Sequence, residues 1–136
     1  MPLMEWTERL SVGVARFDDE HKKLVSLINA LFEAVQAGRG REALGQTLDE
    51  LIAYTRNHFV GEEAALKQYG YPDLESHHKE HEALTRQVID IQRKYHAGAS
   101  AMLSMEVMTF LKNWLVRHIQ GTDQKYSRFL NDKGLH

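Results

Sequence analysis

A chain of 136 residues, 43% hydrophobic and 26% charged, has the length and composition of one globular domain, taken here as residues 1–136. Its net charge of −2 gives no basic surface for nucleic acid or an anionic membrane, and no apolar run approaches the roughly 20 residues of a membrane span. The absence of cysteine excludes disulfides, thiolate-bound metals and iron–sulfur clusters. The opening stretch MPLMEWTERL has no apolar signal core, so a cytoplasmic protein is expected.

Residues 1–18 read as an irregular arm, with Gly13 and scattered apolar positions. From Asp18 or Asp19, both plausible N-caps, apolar residues recur at Leu24, Ile28, Leu31 and Val35, until Gly38 and Gly40 end the first helix. A second helix begins near Arg41, with Leu44, Leu48, Leu51, Ile52 and Leu66 inward, and stops at Gly70 and Pro72. Asp73 is a candidate cap for the third. Its seam runs Leu74, His77, His81, Leu84, Val88, Ile91 and Tyr95, in steps of three and four, and Gly98 closes it. Ser100 opens the fourth, whose expected seam is Leu103, Val107, Phe110, Trp114 and His118. Beyond Gly121, Tyr126, Phe129 and Leu130 suggest a short helical continuation. The fold class is therefore all-α, an up-down-up-down four-helix bundle.

Several inward positions are polar. His77 and His81, at i and i+4, lie about 40° apart around a helix of about 3.6 residues per turn. The rhythm Leu48, Leu51, Thr55 carries on to His58 and Glu62. His21 heads the inward row of the first helix, and His118 extends that of the fourth. One histidine on an apolar seam is usually a satisfied core residue, but here every helix contributes one and two helices contribute an i, i+4 pair.

Burying a polar group without a partner costs roughly 1–3 kcal/mol. Seven such groups would rival the roughly 5–15 kcal/mol by which a domain is stable, so something must satisfy them. Metal ions can. Five histidines are more than one tetrahedral ion accepts, and helical carboxylates commonly bridge paired ions in bundle cores. The carboxylates are Glu62 and Asp123, and Asp123 follows His118 by five residues, about 140° away on a regular helix. The helix is therefore expected to loosen near Gly121. Two six-coordinate ions offer twelve positions. Two bridging carboxylates fill four, a solvent-derived bridge two and the histidines five, which leaves one position open to a small ligand.

At this point a resemblance appears. One histidine, then H-F-x-x-E at His58–Glu62, H-x-x-x-H at His77–His81 and H-x-x-x-x-D at His118–Asp123 resemble the haemerythrin signature in order and spacing, over about residues 18–126. The resemblance implies reversible dioxygen binding at a non-haem centre of two iron ions with an oxo or hydroxo bridge, in an oxygen carrier, storage or delivery protein rather than an enzyme. It implies that His77, His81 and His118 hold the six-coordinate iron, that His21 and His58 hold the iron with the vacancy, and that Glu62 and Asp123 bridge. It also implies an apolar oxygen pocket at Phe59, Trp114, Leu115 and Ile119. Glu20 and Gln120 depart from the family's usual pattern, and both are expected to face solvent. So are His78, His96 and His136.

Other readings fit these residues less well, among them a purely structural bundle with an inert zinc pair. A carboxylate-rich di-iron oxidase needs two Glu-x-x-His motifs, and here that spacing occurs at Glu75–His78, off the seam. A metal-dependent phosphohydrolase is disfavoured because there is no His-Asp dipeptide. An oxygen or redox sensor module shares the same site, and the standalone carrier fits better. The partner expected is dioxygen, with a monomeric chain.

Overall fold

The computed structural model describes residues 3–39, 41–98 and 105–136. Among them a short 3-10 turn, Glu8–Leu10, precedes helices α1 (Ala15–Gln36), α2 (Arg41–Gln68), α3 (Leu74–His96), α4 (Met105–Arg117) and α5 (Gln124–Asp132). A π-helical stretch, His118–Asp123, joins α4 to α5. No strand occurs among the described residues. α1 packs on α2, α2 on α3, and α4 returns to α1, closing the four-helix bundle expected from the seams.

The core holds most of the expected rows of α1 to α3, with Val35, Leu44 and Leu74 half-buried against it. Leu24, Leu31, Leu48 and Leu66 are fully enclosed, and α3 buries His77, His81, Leu84, Val88, Ile91 and Tyr95. The fourth helix corrects the expectation. Its buried face is Met108, Leu111, Leu115 and Ile119, while Val107 and Trp114 are half-buried and Phe110 is exposed. Counting back from His118 by threes and fours is ambiguous, because steps of four then four reach Trp114 and Phe110, whereas steps of three then four reach Leu115 and Leu111. Both rows are apolar, and packing chose the second. Leu103 and Ser100 lie outside the described residues.

The N-terminal arm is more ordered than its composition suggests. α1 starts at Ala15, ahead of Asp18, so Asp18 is not its cap. Instead the Asp18 carboxylate turns back to accept the Val12 N–H at 2.8 Å and the Ser11 hydroxyl at 2.6 Å. Val12 and Val14 are thereby sealed into the core. Gly13 sits between them at φ +73°, where a Cβ would also collide with the Ser127 hydroxyl of α5, so the reversal there requires glycine. Asp73 does stand at the start of α3, but its side chain makes no capping bond. Its carbonyl accepts the His77 N–H at 3.0 Å, which begins the helix.

Candidate metal centre

The seven polar residues meet in one layer of the bundle, each at most 3% exposed. α1 supplies His21, α2 His58 and Glu62 one turn apart, and α3 His77 and His81 likewise. His118 and Asp123 are the two ends of the π-helical stretch. On a regular helix they would diverge by about 140°, whereas i→i+5 bonding returns the fifth residue to the same face. The loosening expected near Gly121 is therefore present, and it aims both side chains inward.

Their ligand atoms sort into two clusters. One contains His77, His81 and His118 with Glu62 and Asp123, and the other His21 and His58 with the same two carboxylates. Each carboxylate divides its oxygens between them. Glu62 Oε1 lies 2.6 Å from His77 Nε2 and 3.2 Å from His81 Nε2, while Oε2 lies 3.3 Å from His58 Nε2 and 3.6 Å from His21 Nε2. Asp123 Oδ1 is 3.0 Å from His77 and 3.1 Å from His118, and Oδ2 is 3.2 Å from His21. This is the disposition of two bridging carboxylates between a three-histidine and a two-histidine position.

Proton placement shows why cations fit. His58 Nδ1–H donates to Glu20 Oε1 at 2.6 Å, and His81 Nδ1–H donates to Glu63 Oε2 at 2.7 Å. In the neutral rings those bonds leave Nε2 as a bare lone pair. Yet His58 Nε2 faces His21 Nε2 at 3.0 Å, and His81 Nε2 faces His118 Nε2 at 3.0 Å. Both Asp123 oxygens are buried without a hydrogen-bond partner, although imidazole nitrogens surround them. A proton could join each of these pairs, but the same nitrogens also gather with the Glu62 and Asp123 oxygens within 4.8 Å of one another, close enough for a shared cation to take the proton's place. Five imidazoles and two carboxylates suit iron, manganese or zinc.

Without a cation, protons must do this work. Burial alone would push His58 down, but hydrogen bonds to Glu20 and Glu62 and the charges of Glu62 and Asp123 outweigh it and hold the ring at about 9. His77 is likewise lowered by burial but raised more by Asp123 and Glu62, to about 10. Burial pushes Glu62 up, yet the four rings of His21, His58, His77 and His81 hold it well below the usual carboxylate range. Burial and the Glu62 charge raise Asp123, and the facing His118 and His21 rings overcome both.

Three residues around the site were missed in the sequence. Glu20, expected in solvent, has a side chain only 21% exposed and holds His58. Glu63 does the same for His81. Tyr126 is fully buried, and its hydroxyl donates to Glu62 Oε2 at 2.8 Å. The available signal was adjacency: Glu20 precedes His21, Glu63 follows Glu62, and Tyr126 follows Asp123 by about one helical turn. Gln120 does face solvent. His78 is half-exposed as expected but is paired with Glu63 and Glu82. His96 is exposed and pairs with Asp49, and His136 is exposed.

The four expected pocket residues lie beside this layer. The Phe59 ring stacks on His81, with centroids 3.8 Å apart and planes at 6°. Trp114 stacks on His118 at 4.9 Å and meets Phe59 edge-on at 5.9 Å. Leu115 and Ile119 are buried. A cavity of about 20 Å³ is bordered by Leu24, Thr55, Leu84, Trp114 and Leu115. Leu24, Thr55, Leu84 and Leu115 each lie three residues from a site histidine, so the cavity occupies the next layer of all four bundle helices. Thr55 gives its hydroxyl to the Leu51 carbonyl at 2.7 Å, which leaves the lining apolar. Phe59 and Ile119 do not border it.

The chain is similar to known proteins across nearly its whole length. A family profile described as "Hemerythrin HHE cation binding domain" matches residues 12–130. "Bacteriohemerythrin" of Methylococcus capsulatus is 36% identical over 132 residues, covering 96% of this chain and 99% of that protein. "Myohemerythrin" of Theromyzon tessulatum is 33% identical over 122 residues, covering 90% and 89%. A crystal structure of wild-type hemerythrin superposes with a TM-score of 0.88 at 35% identity, covering 93% of this chain and 96% of that one. The chain belongs to the haemerythrin family.

Proposed function

We propose that this chain binds dioxygen reversibly at a pair of iron ions held in the bundle, as a single carrier, storage or delivery domain. The observation that carries the reading is the division of ligands. His77, His81 and His118 converge on one position and His21 and His58 on the other, and Glu62 and Asp123 each turn one oxygen to the first and the other oxygen to the second. The two-histidine position is the one short of a ligand, so a small molecule would enter there. A ferrous pair, when bound there, would supply electrons to dioxygen and take them back on its release.

The protein's own residues do the rest. The hydrogen bonds to Glu20 and Glu63 hold His58 and His81 in the tautomer that presents a bare Nε2. Tyr126 donates to Glu62 Oε2, fixing the carboxylate's rotation between the two positions. Phe59 and Trp114 stack on His81 and His118, and the apolar cavity one turn away admits a diatomic molecule while excluding bulkier polar reagents. Burial of all seven groups and the apolar lining beside them would disfavour entry of water and free acid, which promote irreversible loss of bound oxygen.

Binding and turnover are distinguished by cycling the iron-loaded protein between air and argon. The reading predicts uptake of one oxygen per chain, its release under argon, and repetition of the cycle without added reductant. Continuous oxygen consumption with a reductant, and no release under argon, would contradict it in favour of an oxidase.

A further inference from the structure

The imidazoles at the two positions are not equally supported. His58 belongs to the two-histidine cluster, and its Nδ1–H is held by Glu20 at 2.6 Å. The other Glu20 oxygen, Oε2, accepts from Arg16 Nε at 3.2 Å, one turn back on α1. The Arg16 guanidinium lies against α2 at Gly61, where a Cβ would stand 2.7 Å from Nη2, so glycine leaves the space it occupies. A continuous chain thus runs from a surface cation through Glu20 and His58 to the position with the open corner. The three-histidine cluster has a counterpart in Glu63 on His81, backed by His78 rather than by a permanent cation.

A carboxylate on the far N–H of a ligating imidazole fixes the ring's orientation and makes Nε2 a stronger donor, which favours the higher charge state of the metal. A guanidinium on the same carboxylate draws charge away and opposes that effect, and unlike imidazole it does not lose its proton. Glu20 and Arg16 therefore act on one ion with opposite sign.

We infer that Glu20, tethered by Arg16, is a positioning residue that orients His58 and sets the reduction potential and retention of the ion at the two-histidine position. The inference rests on the di-iron reading above, and goes beyond it in assigning control of that ion to two residues that touch no metal.

The test is a redox titration of the full-length iron-loaded protein under argon, with metal content measured in parallel, for the parent, Glu20→Gln, Glu20→Leu and Arg16→Ala. Glu20→Gln keeps an acceptor for His58 but removes the charge, so the pair keeps its iron and its potential rises. Arg16→Ala frees the carboxylate's charge, so the potential falls. Glu20→Leu leaves the ring unheld and weakens one of the two metal equivalents by about 10–100-fold, without weakening the other. A purely structural role would change metal retention in all three variants without potentials of opposite sign. If the parent holds two irons and binds oxygen, but Glu20→Gln and Arg16→Ala leave the potential unmoved or shift it the same way, this inference falls while the oxygen-binding reading stands. If the parent holds no iron pair, both fall.

Discussion

At the scale of single residues, the site is a competition between protons and cations for seven buried groups. His58 and His77 are held at about 9 and about 10 in the metal-free fold, against 6.5 for the ordinary ring. Groups raised in this way stabilise the fold fully below 6.5, and that contribution is lost as pH rises through 9 and 10. Glu62 and Asp123 are held below their ordinary values of 4.5 and 3.8, so their contribution is present above those values and disappears in acid. The metal-free protein is therefore expected to lose melting temperature steadily between about pH 6.5 and pH 10, and the metal-loaded protein to stay level, because the cation stabilises the deprotonated rings. Parallel slopes for the two forms would contradict this. Tyr126→Phe removes a buried hydrogen bond to the Glu62 carboxylate, and should cost the metal-free protein about 1.5–3 kcal/mol in urea unfolding. An unchanged unfolding midpoint would count against that role. Most of the candidate ligands were legible in the sequence because His58, Glu62, His77 and His81 fall within apolar rows and His21 and His118 at the ends of two, whereas Asp123 was reached only through its spacing from His118. Glu20 and Glu63 were not, because each sits one position off its seam, where an acid normally reads as solvated, and the bond it makes crosses to another helix.

At the scale of elements, the decisive feature is the π-helical stretch from His118 to Asp123. Its need could be inferred from two ligands five residues apart, since no regular helix brings such a pair to one face. The register of α4 before it could not, because two apolar rows compete and only contact with the neighbouring helices selects Met108, Leu111 and Leu115 over Val107 and Phe110. A π turn is a rare interruption of a helix, and here both of its ends, His118 and Asp123, carry candidate ligands that a bound metal would pin. Amide exchange at residues 118–123 should accordingly be faster than in the middle of α2 in the metal-free protein, and should slow by at least tenfold on loading, a change of about 1.4 kcal/mol in local opening. Hydrogen-exchange mass spectrometry measures this directly. Equal protection before and after loading would show that the stretch is held by packing alone. The order of the N-terminal arm was likewise hidden, since it depends on Asp18 accepting from Val12 and Ser11 and on Asn131 reaching the Gly13 carbonyl at 2.9 Å.

At the scale of the whole molecule, three helices and the π-helical stretch place five imidazoles and two carboxylates in a single buried layer, with an apolar layer next to it. The bundle itself was readable from periodicity, because short connections between long amphipathic helices leave it as the simple way to bury four seams, although the register of the fourth was not. The division of the ligands into three and two was not a matter of periodicity. It follows from how the two carboxylates split their oxygens across the core, which is a property of the assembled bundle. Crystals of the iron-loaded protein, measured at the iron absorption edge, test this division most directly. The account predicts two anomalous peaks per chain inside the bundle, one bound by His77, His81 and His118, the other by His21 and His58, with Glu62 and Asp123 spanning both. A single peak, or iron on the surface with these side chains still paired to one another, would contradict it.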